Sequence, residues 1–215
     1  AAFDLSICQP PPKDGDNFSP GPRHLMVHQS GRYPVLSGDG RFLMFQRWTG
    51  EKEVVEIFDR KDHKYQTLSS LKNKTNDRHA VFLSSGDNPL RIAFGRKENG
   101  IEKIFTAELG GEGKPLPLPE ELSSSIPAMT PDGALLFAGS KIDSQGNLTD
   151  APDLYRFAPS NNTIKKLTDT PWEEWRPAID PSGQYVYYIG NPDGGFDIYR
   201  LNVKTGKSNK FFGTD

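Results

Sequence analysis

A chain of 215 residues with 34% hydrophobic residues and a formal net charge of −2 has the length of one all-β domain and a lean apolar supply. The near-balanced charge excludes a broadly basic surface for nucleic acid, and no apolar run approaches the roughly 18 residues that cross a bilayer. Cys8 is the single cysteine, so no internal disulfide can form.

Residues 1–31 read as an arm. The stretch Gln9-Pro-Pro-Pro-Lys-Asp-Gly-Asp-Asn-Phe-Ser-Pro-Gly-Pro22 is too rich in Pro and Gly for regular structure. Phe3-Asp-Leu-Ser-Ile7 and Leu25-Met-Val27 on either side of it could add a strand beside the far end of the chain. The start Ala-Ala-Phe suits a processed, exported protein. Asn-x-Ser/Thr acceptor patterns for glycosylation occur at Asn17, Asn73, Asn147 and Asn161.

From residue 32 one phrase recurs. Pro34-Val-Leu-Ser-Gly-Asp-Gly40 returns as Pro127-Ala-Met-Thr-Pro-Asp-Gly133 and Pro177-Ala-Ile-Asp-Pro-Ser-Gly183, with a weaker copy at Ala80-Val-Phe-Leu-Ser-Ser-Gly86. The turn glycines are 46, 47 and 50 residues apart, a period of stacked supersecondary units. Each copy carries four short extended runs. After the turn comes an alternating run (Phe42–Phe45, Ile92–Phe94, Leu135–Phe137, Tyr185–Tyr188). Next come a polar residue and an aliphatic-aromatic pair (Glu56-Ile-Phe58, Lys103-Ile-Phe105, Asp153-Leu-Tyr155, Asp197-Ile-Tyr199), then a short polar run. Pro34, Pro127 and Pro177 are expected to mark strand starts, because proline cannot donate to a central ladder. Asp39-Gly40, Asp132-Gly133 and Ser182-Gly183 are tight-turn pairs. Pro and Gly total 39 residues, too evenly spread for ordinary helices.

Four antiparallel strands at this period predict an all-β chain with β-propeller blades at about 32–71, 77–118, 124–168 and 173–212. The phrase P-x-x-S/T-P-D-G-x-x-L-x-F, followed by D-I-Y-x-L and K-K-L-T, resembles the WD-like repeat of TolB-type propellers. The match is best over 124–168 and 173–211 and covers roughly 32–212. The resemblance implies a propeller serving as a binding protein or as a domain appended to an enzyme. The pattern departs from TolB itself, which has six such blades and an N-terminal α/β domain, and no Gly-x-Ser-x-Gly elbow follows. The four repeats are thus expected to form a four-bladed ring or part of a larger one, with the weak second repeat (Val81–Leu90) as a candidate seam.

Propeller geometry places the first-to-second turns on one face and the longer second-to-third hairpins with the inter-blade loops on the other. Function is expected on the irregular face. It holds Arg47-Trp48, Asn191–Phe196 and the loop Asp169-Thr-Pro-Trp172-Glu173-Glu174-Trp175-Arg176, in which tryptophans around acids and an arginine have a hot-spot composition. The bland alternative packs a tryptophan between blades and pairs Arg176 with Glu173 or Glu174. The binding face is assigned Arg47, Trp48, His79, Trp172, Glu173, Trp175, Arg176 and Phe196. Tyr33, His79, Ile126 and Arg176 are assigned to the mouth of the central channel.

No metal or cofactor is expected. His24 and His28 would lie about 13 Å apart along a strand, and Asp143-Ser-Gln-Gly-Asn147 lacks the terminal bidentate Glu of a calcium loop. No Ser-His-Asp order, phosphate loop or Cys-His pair emerges. The leading expectation is a non-enzymatic, periplasmic or secreted propeller that binds a protein partner. A glycan or small-ligand binder or glycan-cleaving enzyme is the second, and a self-associating architectural propeller, hence a homo-oligomer, the third.

Overall fold

The computed structural model describes residues 31–68, 76–83 and 90–213. The arm, with Cys8, His24, His28 and its two candidate closing strands, lies outside the described residues, as do the second-repeat turn around Gly86 and Asp87 and the site at Asn73.

The chain forms four antiparallel sheets, each wound from four consecutive strands. The first holds β1 (Gly31–Leu36), β2 (Phe42–Trp48), β3 (Glu53–Asp59) and β4 (Lys64–Thr67). The second holds β5 (Asn76–Phe82), β6 (Arg91–Glu98), β7 (Ile101–Glu108) and β8 (Lys114–Pro115). The third holds β9 (Leu122–Met129), β10 (Leu135–Lys141), β11 (Asp153–Ala158) and β12 (Thr163–Lys166). The fourth holds β13 (Glu174–Ile179), β14 (Tyr185–Gly190), β15 (Asp197–Asn202) and β16 (Ser208–Phe212). There is no helix among the described residues, and the architecture is a four-blade propeller. All four first strands wall a central cavity of about 520 Å³ whose lining includes Val35, Phe82, Met129 and Ile179.

The tight turns are held by side chains as well as by glycine. Gly40, Gly133 and Gly183 have φ of +69°, +82° and +74°, and the amide of each donates back to the carbonyl of residue 37, 130 or 180. Ser37 Oγ donates to Asp39 at 2.6 Å, Thr130 donates to Asp132, and Ser182 donates to Asp180. The fourth turn keeps the hydroxyl–carboxylate pair with its order reversed.

The prolines stand elsewhere than expected. Pro34, Pro127 and Pro177 lie inside their first strands rather than at the starts. In each first strand two residues face one on the neighbour: 33 and 34 opposite Phe45, 79 and 80 opposite Phe94, 126 and 127 opposite Phe137, 176 and 177 opposite Tyr188. A β-bulge leaves its extra residue out of the ladder, so a proline there deletes no hydrogen bond. The residue before it takes a left-handed backbone in all four blades: Tyr33 at φ 52°, His79 at 52°, Ile126 at 54° and Arg176 at 53°. For residues with a Cβ this conformation costs roughly 1–2 kcal/mol each.

Sheets stack through a repeated pattern. In strands two and three the aromatic pairs Phe94–Phe105, Phe137–Tyr155 and Tyr188–Tyr199 stack at 6.0, 5.6 and 5.7 Å between ring centres. These rings face the preceding blade. On the opposite face, Ile57, Ile104 and Leu154 at equivalent points of strand three are fully buried beneath the next blade. The second blade packs on both neighbours, so the weak second repeat is not the seam. Among the described residues, no strand of the first sheet packs against a strand of the fourth. Accordingly Ile198, the fourth member of the aliphatic series, is 39% exposed.

The asymmetry is measurable. Leu154→Ala should cost about 2–5 kcal/mol, as for a closed core site, and Ile198→Ala under about 1 kcal/mol. Urea unfolding of the two variants checks this, and equal losses would show that the outer face of the fourth blade is covered.

Candidate functional site

The second-to-third hairpins and the starts of the first strands emerge on one face. Trp48 closes β2 there and is 49% exposed. Phe196, in the hairpin between β14 and β15, is 58% exposed. The longest hairpin, 142–152 in the third blade, carries Leu148, also 58% exposed. Asp143 shapes that hairpin, accepting from the amides of Gln145 and Asn147 at 2.9 Å each and from Asn147 Nδ2 at 3.1 Å. Its carboxylate is thereby taken up by the turn itself.

At the channel mouth three of the four bulge residues meet. The rings of Tyr33 and His79 lie edge to face, 5.3 Å between centres. The Arg176 guanidinium sits 4.8 Å over the Tyr33 ring, and its Nη2 donates to Tyr33 Oη at 3.1 Å. Arg176 therefore bridges to the first blade and does not pair with Glu173 or Glu174, because the bulge turns it across the channel and away from its own strand. Ile126 holds the equivalent position in the third blade without a polar contact. The His79 amide donates to Gln46 Oε1 at 3.1 Å, while the ring Nδ1 is enclosed with no partner among the described residues. Burial, together with the nearby Arg176 and Arg78, pulls the His79 imidazole down to about 4.

The remaining predicted residues divide. Arg47 is committed to Glu56 through Nη2 at 2.5 Å. Glu173 caps the loop, accepting from Trp175 Nε1 at 3.3 Å while its amide donates to Asn191 Oδ1 at 2.8 Å. Trp175 and Trp172 are half-buried. Trp172 stands with Thr168 and Thr170 around the fully buried carboxyl of Glu174, neither of whose oxygens has a well-formed hydrogen bond to a described residue. Burial pushes the Glu174 carboxyl above the ordinary range, and the nearby Asp153 reinforces this. The adjacent Tyr188 phenol is pushed up to about 12, mainly by burial. Among the described residues no hydrogen bond, ion pair or ring contact joins Trp48, Trp172 or Phe196 to the Tyr33–His79–Arg176 cluster, and no three His, Cys, Asp or Glu side chains are grouped to hold a metal.

One part of the face escaped sequence reasoning. Between the second and third blades a cleft is bounded by Arg78, Glu102, Ser123, Ser125, Ser140 and Trp175. Arg78 Nε and Nη2 donate to the two Glu102 oxygens at 3.0 and 2.6 Å. The run Ser123-Ser-Ser125, where other blades have Asn76-Asp-Arg78 and Glu173-Glu-Trp175, was the available signal.

No family model matches the sequence, and no curated protein matches it. Solved structures do share its architecture. TolB from Acinetobacter baumannii superposes with a TM-score of 0.67 at 18% identity, over 86% of this chain and 44% of that one. A putative TolB from Agrobacterium tumefaciens gives 0.65 at 19% identity, over 86% and 62%. A puromycin-hydrolyzing peptidase of Mycobacterium tuberculosis gives 0.66 at 18%, over 87% and 29%. The chain thus spans less than two thirds of each of these proteins, and identities this low speak to fold.

Two titrations follow from the geometry. His79 binds its proton more weakly when folded, so the stability it supports is present above pH 6.5 and lost as pH falls toward about 4. His79→Asn should remove up to roughly 3 kcal/mol of that dependence. Glu174 shifts the opposite way: the stability it supports is present at acid pH and lost as pH rises above 4.5. Glu174→Gln should therefore gain on the wild type toward alkaline pH. Thermal melts from pH 4 to 9 check both, and curves parallel to the wild type would refute the assignments. The protein's fold is that of a TolB-type β-propeller.

Proposed function

We propose that this propeller is a non-enzymatic binding protein that docks a protein partner on its hairpin face. One observation carries the proposal: Trp48, Leu148 and Phe196, from the hairpins of three different blades, are about half or more exposed around a mouth that presents the exposed Arg176. Large apolar side chains on the irregular loops of a rigid scaffold suit an interface, where aromatic and arginine residues dominate the energy. The hairpins take little part in the inter-blade core, so they can present these residues without loss of packing. Location outside the cytoplasm belongs to the same proposal and is supported by the TolB likeness alone.

The test compares wild-type bait with a Trp48→Ala, Phe196→Ala double variant in extracts of the source organism, followed by protection mapping of the captured complex. A partner held by the wild type should be lost by the folded variant, each anchor being worth about 2 kcal/mol, with protection on the three hairpins. Identical capture by both baits, or protection on the opposite face, would overturn the proposal. Trp172 is left intact because it stands against the buried Glu174, where truncation would perturb the fold.

A further inference from the structure

The hairpin face has a second feature, a cleft that shares only Leu148 with the docking residues Trp48, Leu148 and Phe196. The cleft between the second and third blades measures about 180 Å³. That is room for roughly six waters, comparable to one sugar ring and smaller than the roughly 300–1,000 Å³ pockets of drug-sized ligands. Its walls are chemically divided. One is the Arg78–Glu102 pair, whose guanidinium and carboxylate satisfy each other twice over while keeping further N–H groups and lone pairs free in number. The facing wall is serine. Ser123 Oγ donates to the Glu102 carbonyl at 3.2 Å. Ser125 and Ser140 are buried residues whose hydroxyls make no hydrogen bond to a described residue, so both are left to the cleft. The third wall is the half-buried indole of Trp175, steadied by its bond to Glu173.

We propose that this cleft binds a single neutral hexose ring. The indole offers a flat apolar surface to the C–H face of a sugar. The serines and the ion pair offer alternating donors and acceptors, which suits hydroxyl groups that both donate and accept. Of the three charged residues that line the cleft, Lys97 is exposed, while Arg78 and Glu102 already form a bidentate pair that an ionic ligand would have to break to reach either of them. The cleft meets the docking surface at Leu148, which lines its edge, while Trp48 and Phe196 lie outside it.

The experiment is saturation-transfer and amide-shift NMR on the whole chain with glucose, galactose and mannose at millimolar concentration. Acetate and glycine serve as ionic controls and glycerol as an acyclic one. Saturation transfer to at least one hexose is expected, with amide shifts confined to residues 97–102, 123–125, 139–148 and the Trp175 indole. Trp175→Ala should weaken binding about tenfold or more. The Ser125→Ala, Ser140→Ala double variant removes only two oxygens, and it should also weaken binding should Trp175→Ala not fold. Absence of transfer to all three hexoses, shifts elsewhere on the molecule, undiminished binding by folded variants, or binding of only the controls would each overturn the proposal. Failure here leaves the docking reading intact, because partner capture is scored on Trp48 and Phe196.

Discussion

The burial of one aliphatic side chain from the third strand of each of the first three blades beneath the next blade is the constraint on which the rest of the structure rests. A four-stranded antiparallel sheet with two apolar faces cannot hold itself together in water and gains stability only by stacking. Ile57, Ile104 and Leu154 are the points at which successive sheets are locked, and the stacked aromatic pairs fill the space on the reverse faces. Because this packing lies along the middle of the strands, the hairpins at the ends are free to vary. The same face can therefore carry a two-residue turn in the second blade and an eleven-residue loop in the third.

The bulges connect that packing to the channel. Each sits opposite the aromatic core residue of strand two, and each holds one non-glycine residue in a left-handed backbone. Strain repeated at four equivalent points is a property of the repeat, not an accident of one loop. It bends every first strand as it enters the channel wall and fixes where residues 33, 79, 126 and 176 stand. The identity of the side chain there is unconstrained by the ladder, which is why tyrosine, histidine, isoleucine and arginine can share one position. Three of them interact, and the Arg176–Tyr33 contact spans the junction of the first and fourth blades, where no strand-to-strand packing exists among the described residues.

Charges on the hairpin half of the molecule are mostly satisfied in place. Asp77 accepts Arg96 through both oxygens at 2.7 and 2.9 Å, Glu56 takes Arg47, and Asp153 takes Lys166 at 2.7 Å. Such partly buried pairs hold strand ends in register at a desolvation cost that their hydrogen bonds offset. Glu174 departs from this pattern, being fully buried with no cation paired to it among the described residues. Its strand position matches Asp77, but the fourth blade puts Ile189 and Gly190 where the second has Gly95 and Arg96. The fold keeps the acid and omits its arginine.

Most of the fold was legible along the chain. The recurrence of Pro-x-x-Ser/Thr/Asp with a turn glycine, and of the aliphatic-aromatic pair, states the number of sheets and the order of their strands, because turns and alternation depend on local chemistry. Proline was misjudged: its missing N–H excludes a paired position, and only inter-strand register reveals that a bulge supplies an unpaired one inside the strand. The aromatic and charged residues of the hairpin face were visible, yet their partners were not. Arg176 lies beside Glu173 and Glu174 in sequence but meets Tyr33, 143 residues away, and the serine cleft draws on strands from two blades and a residue from a third. The sequence by itself determined the repeat, the turns and the strand faces, since each depends on neighbours a few residues apart. The tertiary structure alone decided the seam, the channel cluster and the cleft, because those contacts arise only when whole blades pack side by side.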